Sequence, residues 1–430
     1  MALTHPKTMH IVLNSVTEDS RVLKCAWSLA NAGWDVLVCG ATATSEVDSL
    51  SIGYARIWRL KLKPVVNQAQ TARVLRKLRY YKRRFEAKYL KAKAPMIPNY
   101  RMALKALLPV AQEFAPDVVH AHDYTALSIA GAIVEELRAE GKKVELVYDA
   151  HEYVPGVPHL TEPMVKMYSA EERKFSAIAA SVLSVSEGMS DLLIPHLNLS
   201  VRPEIVANDP LVAGAMPATR NLRQDCGIGR DVPLMVYSGA VAPQRGVQTA
   251  AEALRQLPDV HLVVIANPTN ATVIKLRETY ADVADRFHVQ PYVPNSELVS
   301  YLSSATVGLI PIIHRLNHEI SLITKFGEYM QARLPILVSD VKTMAAEVRK
   351  LCNGEVFIAE DVADFVVAAR KILENPDKYA SVYTPAMLNE RSWERQAEGL
   401  LAIYNRISSA APTAREPKPF VLSTPQPGRQ

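Results

Sequence analysis

The chain has 430 residues, of which 49% are hydrophobic and 22% charged. This is the make-up of an ordinary globular protein of two or three domains, and it excludes a disordered chain, a collagen and a disulfide scaffold. The formal net charge of +5 hides a local excess: sixteen Lys and Arg face one acid, Glu86, between Arg56 and Lys105. No apolar run approaches the ~20 residues of a membrane span. The N-terminus lacks the basic-then-apolar layout of a signal peptide. Cys25, Cys39, Cys226 and Cys352 are scattered without a CxxC pair, as expected of reduced thiols in a cytoplasmic protein.

In chain order, MHIVLNS predicts a short buried strand, SRVLKCAWSLANAG a helix closed by Gly33, and DVLVCG a second strand. RIWRLKL is a candidate third. The basic stretch follows, densest from Arg73 to Lys93, with Val74, Leu75, Leu78, Tyr81, Phe85, Tyr89 and Leu90 mostly three or four apart. That is helical spacing. A basic helix with aromatic residues suits an anionic membrane surface, which Arg76, Arg79, Lys82, Arg83 and Arg84 would contact. The plainer alternative is a solvated helix with a core-facing stripe. No nucleic-acid-binding motif accompanies it, so nucleic acid is not expected as a partner.

A helix to about Phe114 precedes strand DVVHAHD, and helix TALSIAGAIVEELRAEG leads to strand VELVYDAH. Residues 162–180 are helical, SVLSVS is a strand, and PEIVAND another. The second half repeats the rhythm: PLMVYSG, HLVVIAN, FHVQ, TVGLIPI, PILVSD and EVFIA alternate with helices such as GVQTAAEALRQL and TKFGEYMQARL. Strands separated by 10–20-residue helices imply right-handed crossovers and parallel sheets. The expected class is α/β, with two Rossmann-like doubly wound domains facing a cleft. The expected boundaries are an N-terminal domain at 1–210 with a basic insertion at 56–105, a C-terminal domain at 211–390, a crossover helix at 391–408, and a Pro-rich disordered tail at 409–430.

In such folds, ligands lie at the carboxyl ends of the strands, so chemistry-bearing residues there are the candidates. YSGAVAPQRGV is a strand, a loop and a helix start, and puts Arg245 where helix N–H groups suit a phosphate. Lys325 and Glu328, three apart at a helix start, can face one way. The lysine would neutralise a diphosphate, and the carboxylate would accept bonds from a ribose diol. A solvated salt bridge is the plainer reading. His151 and Glu152 follow one strand, His122 and Asp123 its neighbour. Arg21 is a candidate anion contact beyond the polar loop Thr17–Ser20. His120 and His122 share a strand face but read as structural histidines, so no metal site is expected. No GxGxxG opens a helix, and no Walker A, GxSxG or HExxH motif occurs.

Together these stretches resemble glycosyltransferase family 4, the retaining, nucleotide-sugar-dependent class with a GT-B fold, over about Met9 to Ile407. KFGEYMQARLPILVSD is similar to that family's K-x-x-E-Y-M-x-x-x-x-P-V-x-x-S-D pattern; DVVHAHD, YDAHEY and the Tyr237–Gly246 loop add to it. The resemblance implies a glycosyltransferase that takes a UDP- or GDP-linked sugar, in polysaccharide or glycoconjugate synthesis, without a metal. His151, Arg245 and Lys325 would act on the sugar and its diphosphate. Glu328 would bind the ribose, Tyr292 the base, and Gly239, Gly246, Asn208 and the backbone of Ser321, Leu322 and Ile323 would complete the donor site. Arg21, His122, Asp123 and Glu152 would lie on the acceptor side. The acceptor would be a glycan or a lipid-linked molecule, reached by peripheral attachment to the inner face of the cell membrane. Three departures stand out: Ile320 where the family often has glutamate, Ala240 where many members have Arg or Lys, and Val16–Asp19 in place of a glycine pair. A nucleotide-sugar epimerase of the same fold, or a non-catalytic scaffold, would fit the pattern too.

Overall fold

A computed structural model describes residues 5–42, 48–61, 100–212, 217–408 and 412–423. Arg76, Arg79, Lys82, Arg83 and Arg84 lie outside the described residues. The chain divides into two compact units. The first takes Met1–Ser184, Ser190–Ile205 and Leu400–Gln430; the second takes Val185–Met189 and Val206–Gly399. The helix Trp393–Ile407 therefore begins in the second unit and ends in the first.

Among the described residues, the first unit is built on nine strands: β1 (Lys7–Ile11), β2 (Asp35–Thr42), β3 (Asp48–Ile52), β4 (Ala55–Lys61), β5 (Val118–His122), β6 (Glu145–Ala150), β7 (Ser181–Ser184), β8 (Glu204–Ile205) and β15 (Leu422–Ser423). Their order is β15-β3-β4-β2-β1-β5-β6-β7-β8. Only the β3–β4 and β15–β3 pairs are antiparallel. The central strands are buried on both faces, as helix-covered parallel strands must be. The helix Ser20–Asn31 after β1 starts at Asp19, whose side chain accepts from Val22 N–H, and buries Val22, Leu23, Cys25, Ala26, Leu29 and Ala30.

The second unit holds six parallel strands: β9 (Leu234–Ser238), β10 (His261–Ile265), β11 (Phe287–Gln290), β12 (Val307–Ile310), β13 (Ile336–Ser339) and β14 (Gly354–Phe357). Their order is β11-β10-β9-β12-β13-β14. One apolar cluster, with Tyr237, Leu262 and Phe365, packs one face of this sheet; a second, with Val236, Phe326 and Tyr329, packs the other. In both sheets the order reverses beside the first strand of the unit. This happens between β1 and β5 and between β9 and β12, the switch points where open α/β sheets take ligands.

Two elements depart from the sequence expectation. β3 was not foreseen, and the tail expected to be disordered is placed from 412 to 423. Arg415 N–H donates to Asn31 O at 2.9 Å, Trp27 Nε1 to Lys418 O at 2.8 Å, and Tyr54 OH to Glu416 O at 3.1 Å. Phe420 meets Trp27 edge to face at 5.8 Å, and Lys418 Nζ lies 3.9 Å from the Tyr54 ring centroid. Gly33 makes room: its φ is +103°, and a Cβ there would sit 2.1 Å from Thr413 O. The proline content keeps the tail out of helix, but its carbonyls remain free to accept bonds. Ending the chain at Ser408 removes these hydrogen bonds and the aromatic pair, about 2 kcal/mol in all. That should lower the unfolding midpoint by roughly 4–8 °C in calorimetry and shift Trp27 fluorescence to the red.

Candidate active site

In the second unit, the carboxyl ends of β9 and β12 carry Gly239 and Pro311. Gly239 has φ +127°, and a Cβ there would lie 2.6 Å from Lys325 Nζ; Gly246 has φ +69°, and a Cβ there would lie 1.7 Å from Pro311 O. Only glycine fits both positions. Arg245 ends a 3-10 turn, Pro243–Arg245, so the following helix runs Val247–Ala253 rather than starting at Gly246.

Lys325 is the second residue of the helix Thr324–Gln331. Its Nζ lies 5.1 Å from the Tyr237 ring centroid. Burial, and then Arg245, push the ammonium down to about 8, with Glu328 opposing. Tyr329, from the same helix, fixes this corner: its hydroxyl accepts from Ser238 N–H at 3.1 Å and lies 3.2 Å from both Val236 O and Leu309 O. Asn208 Nδ2 donates to Thr324 Oγ1 at 3.2 Å, while its Oδ1 is buried without a hydrogen-bond partner. Ser321, Leu322 and Ile323 are the half-buried stretch leading into this helix, Glu328 is half-buried on it, and Tyr292 is exposed. Two cations beside a helix N-terminus are the equipment for a diphosphate.

Ile320 turns its carbonyl to Ser186 Oγ, 2.6 Å away. The neighbouring Glu319 is committed to structure: it lies 2.5 Å from His314 Nδ1 and accepts from Lys342 N–H at 2.7 Å. His314 Nε2 in turn meets Asp340 at 2.9 Å. Glu319 therefore holds the first N–H of the helix Lys342–Leu351 and does not replace the glutamate expected at 320.

In the first unit, strand register gathers residues that the sequence left apart. His10 of β1 lies opposite His120 of β5, and His122 of β5 opposite Asp149 of β6. Period two puts His120 and His122 on one face, so the rings stack, 4.6 Å from His10 to His120 and 4.2 Å from His120 to His122. His10 Nδ1 meets His122 Nε2 at 2.9 Å, and His120 Nδ1 meets the hydroxyl of Tyr404, from the last helix, at 2.8 Å. Asp149 is fully buried. Its Oδ1 accepts from Arg21 Nη2 at 2.7 Å and its Oδ2 from Arg21 Nε at 2.8 Å. Burial alone would raise Asp149, but Arg21 and then His151 hold it well below the usual carboxylate range. Burial takes His122 down to about 3. His151, half-buried just past β6, places Nε2 3.2 Å from Asp149 Oδ2. Burial works against its charged form, but Asp149 outweighs burial and raises it.

This corrects two sequence assignments. Arg21 is 3% exposed and ion-paired with Asp149, and His122 is fully buried, so neither lies exposed on the acceptor side as expected. Glu152 is exposed. Asp123 is half-buried at φ +68° with Oδ1 lacking a hydrogen-bond partner, and burial pushes it up to about 7. Sequence reasoning missed Asp149, His10 and Tyr404, which only strand register and the returning helix reveal. Among the described residues, His10, His120 and His122, and separately His122, Asp149 and His151, each bring one ligand atom apiece within 4.8 Å of one another. In the second group, the Arg21 guanidinium already supplies the positive charge that Asp149 requires.

Two family models match the chain. The "Glycosyl transferase 4-like domain" covers residues 19–209, and "Glycosyl transferases group 1" covers 218–386. The chain belongs to the GT-B glycosyltransferases of the family 4 type. It is a nucleotide-sugar-dependent glycosyltransferase. It is 26% identical over 318 residues to a D-inositol 3-phosphate glycosyltransferase of Xylanimonas cellulosilytica, covering 69% of this chain and 73% of that one. It is 25% identical over 232 residues to a 2-deoxystreptamine glucosyltransferase of Streptomyces kanamyceticus, covering 51% and 57%. Its fold matches sucrose-phosphate synthase of Thermosynechococcus elongatus, with a TM-score of 0.71 at 16% identity over 94% of this chain and 99% of that one. It also matches Anabaena HepE in complex with UDP-glucose, at 0.66 and 13% over 94% and 100%.

A lysine held at this pKa, if it meets the diphosphate, gives nucleotide binding a pH dependence. Its charged form is lost as pH rises through about 8, and a bound diphosphate favours that form. Nucleoside diphosphate affinity, measured by calorimetry, should fall by up to about tenfold per unit above pH 8, as one linked proton requires. Lys325→Met should bind weakly at every pH, without that slope.

Proposed function

We propose that this glycosyltransferase moves a sugar from a nucleoside diphosphate to a hydroxyl acceptor with retention of anomeric configuration. The observation that carries the reading is the pairing of Arg245 and Lys325 beside the switch point of the second sheet. Cleaving a glycosyl–phosphate bond builds negative charge on the leaving diphosphate. Fixed cations and helix N–H groups aimed at that charge lower the barrier most. Arg245 and Lys325 are assigned to the diphosphate, Glu328 to the ribose diol, Tyr292 to the base, and Asn208 Oδ1 to a donor hydroxyl. Gly239 and Gly246 let backbone approach the phosphates, and Ser321, Leu322 and Ile323 offer backbone N–H groups to the sugar.

His151 is assigned to a sugar hydroxyl, and Asp123 and Glu152 to the acceptor side. The acceptor oxygen forms the new bond on the face the diphosphate leaves, and its proton passes to a leaving phosphate oxygen. This path uses no protein base, so the two-carboxylate rule for glycoside hydrolysis does not apply. With two cations on the leaving group, the reaction needs no divalent metal.

The named relatives act on D-inositol 3-phosphate and 2-deoxystreptamine, which supports a small polyhydroxylated acceptor. The basic stretch between Arg56 and Lys105, with its local charge of +15, favours instead a lipid-linked acceptor held at an anionic membrane. Among the described residues, no helix is long and apolar enough to cross a membrane. Attachment would therefore be peripheral and electrostatic.

Calorimetry with UDP, GDP and dTDP in the presence of EDTA tests the donor site. One nucleotide should bind selectively, and Glu328→Ala should weaken it by about tenfold or more, the loss of a charged hydrogen bond. No binding to any of the three would overturn the assignment. Co-sedimentation with vesicles containing anionic lipid separates the acceptor readings: salt-sensitive binding supports the membrane route, and its absence leaves the soluble acceptor.

A further inference from the structure

Asp149 does more than neutralise Arg21. Both its oxygens are fixed by the guanidinium, at 2.7 and 2.8 Å. Oδ2 then faces three ring nitrogens: His151 Nε2 at 3.2 Å, His122 Nδ1 at 3.3 Å and His120 Nε2 at 3.6 Å. The two buried nitrogens are left without a hydrogen-bond partner; of the three contacts, the one from His151 is the hydrogen bond. An ionised carboxylate accepts and never donates. The His151 nitrogen facing it therefore carries the hydrogen.

We infer that Asp149, clamped by Arg21, is the positioning residue for His151: it takes the ring's Nε2–H and leaves Nδ1 as the nitrogen offered to substrate. This deepens the proposed role of His151 at the donor sugar and rests on that reading. A neutral ring then presents a lone pair at Nδ1, and a charged ring presents an N–H there. The charge state is set by every group around it: Asp149 on its own strand, Arg21 and Asp19 at the start of the first helix, Asp123 on the helix after β5, and the neutral His120 and His122. Against burial and Arg21, Asp149 and, more weakly, Asp123 favour the charged ring, in which Nδ1 donates to a hydroxyl.

The test reads the ring itself. The full-length protein, labelled with 15N-histidine, is followed by long-range 1H–15N spectra from pH 5 to 9, with His151→Gln assigning the signal. The neutral ring should be the Nε2–H tautomer, with a titration midpoint above the ordinary ~6.5. Asp149→Asn should lower that midpoint by at least one pH unit and mix the tautomers. Because this variant strands a buried guanidinium, the double variant Arg21→Gln with Asp149→Asn removes both charges and should show the same shift with the remaining histidine signals in place. An Nδ1–H tautomer in the wild type, or an unmoved midpoint in the folded double variant, overturns the inference. Should neither variant fold, the wild-type tautomer decides. The spectra need no sugar, so they stand or fall separately from the donor-binding calorimetry.

Discussion

A guanidinium and a carboxylate, desolvated together beside the switch point of the first sheet, organise the unit around them. Asp149 sits in β6 and Arg21 in the helix after β1. Their bidentate bond ties the helix after β1 to a strand two places away in the sheet. A buried charge stripped of its partner costs roughly 3–5 kcal/mol, so neither residue is free to vary alone. Once the pair is fixed, its neighbours are constrained too. His10, His120 and His122 are buried and driven toward neutrality, leaving His151, at the rim, as the ring whose charged form the carboxylate favours.

The second unit handles charge in the opposite way. Lys325 is pressed toward neutrality by burial and by Arg245, and Glu328 restores only part of what they remove. Two cations held close, with a helix start behind them, keep a standing cost that an anion relieves. Preorganised charge of this kind is useful in catalysis because it needs no rearrangement when negative charge develops on a leaving group. The glycines serve the same end. At Gly239 a side chain would collide with the ammonium, and at Gly246 with the Pro311 carbonyl, so the backbone closes up around the place where the phosphates are assigned.

What the sequence made legible was local. KFGEYMQARLPILVSD carries its helix, its lysine and its glutamate in one continuous stretch, so spacing alone brought Lys325 and Glu328 to one helix. The alternation of strands and helices likewise led to the two parallel sheets. The Arg21–Asp149 pair and the histidine stack were not legible, because they depend on register between β1, β5 and β6, which no single segment encodes. Arg21 looked like a spare anion contact because its partner lies 128 residues away. β15, at the sheet edge beside β3, is two residues long, too little pattern for a period-two signal. Composition spoke against order in the tail, while the carbonyls that dock it are blind to composition.

The loop after β1 joins these themes. In this loop Val16 stands at φ +66°, a conformation that branched side chains resist. It is held there from several sides: Val16 N–H donates to Asn14 Oδ1, Asp19 N–H to Val16 O, and Ala41 N–H to Asn14 O. The valine side chain is fully buried, and it fits because its neighbour on β2 is Gly40, where a Cβ would come within 2.2 Å of Val16 Cγ2. Strain of this order, about 1–3 kcal/mol, persists only where the surroundings over-determine it. Here they include Asp19, which caps the helix that delivers Arg21 to Asp149. The strained turn, the cap and the ion pair thus form one continuous support beneath His151.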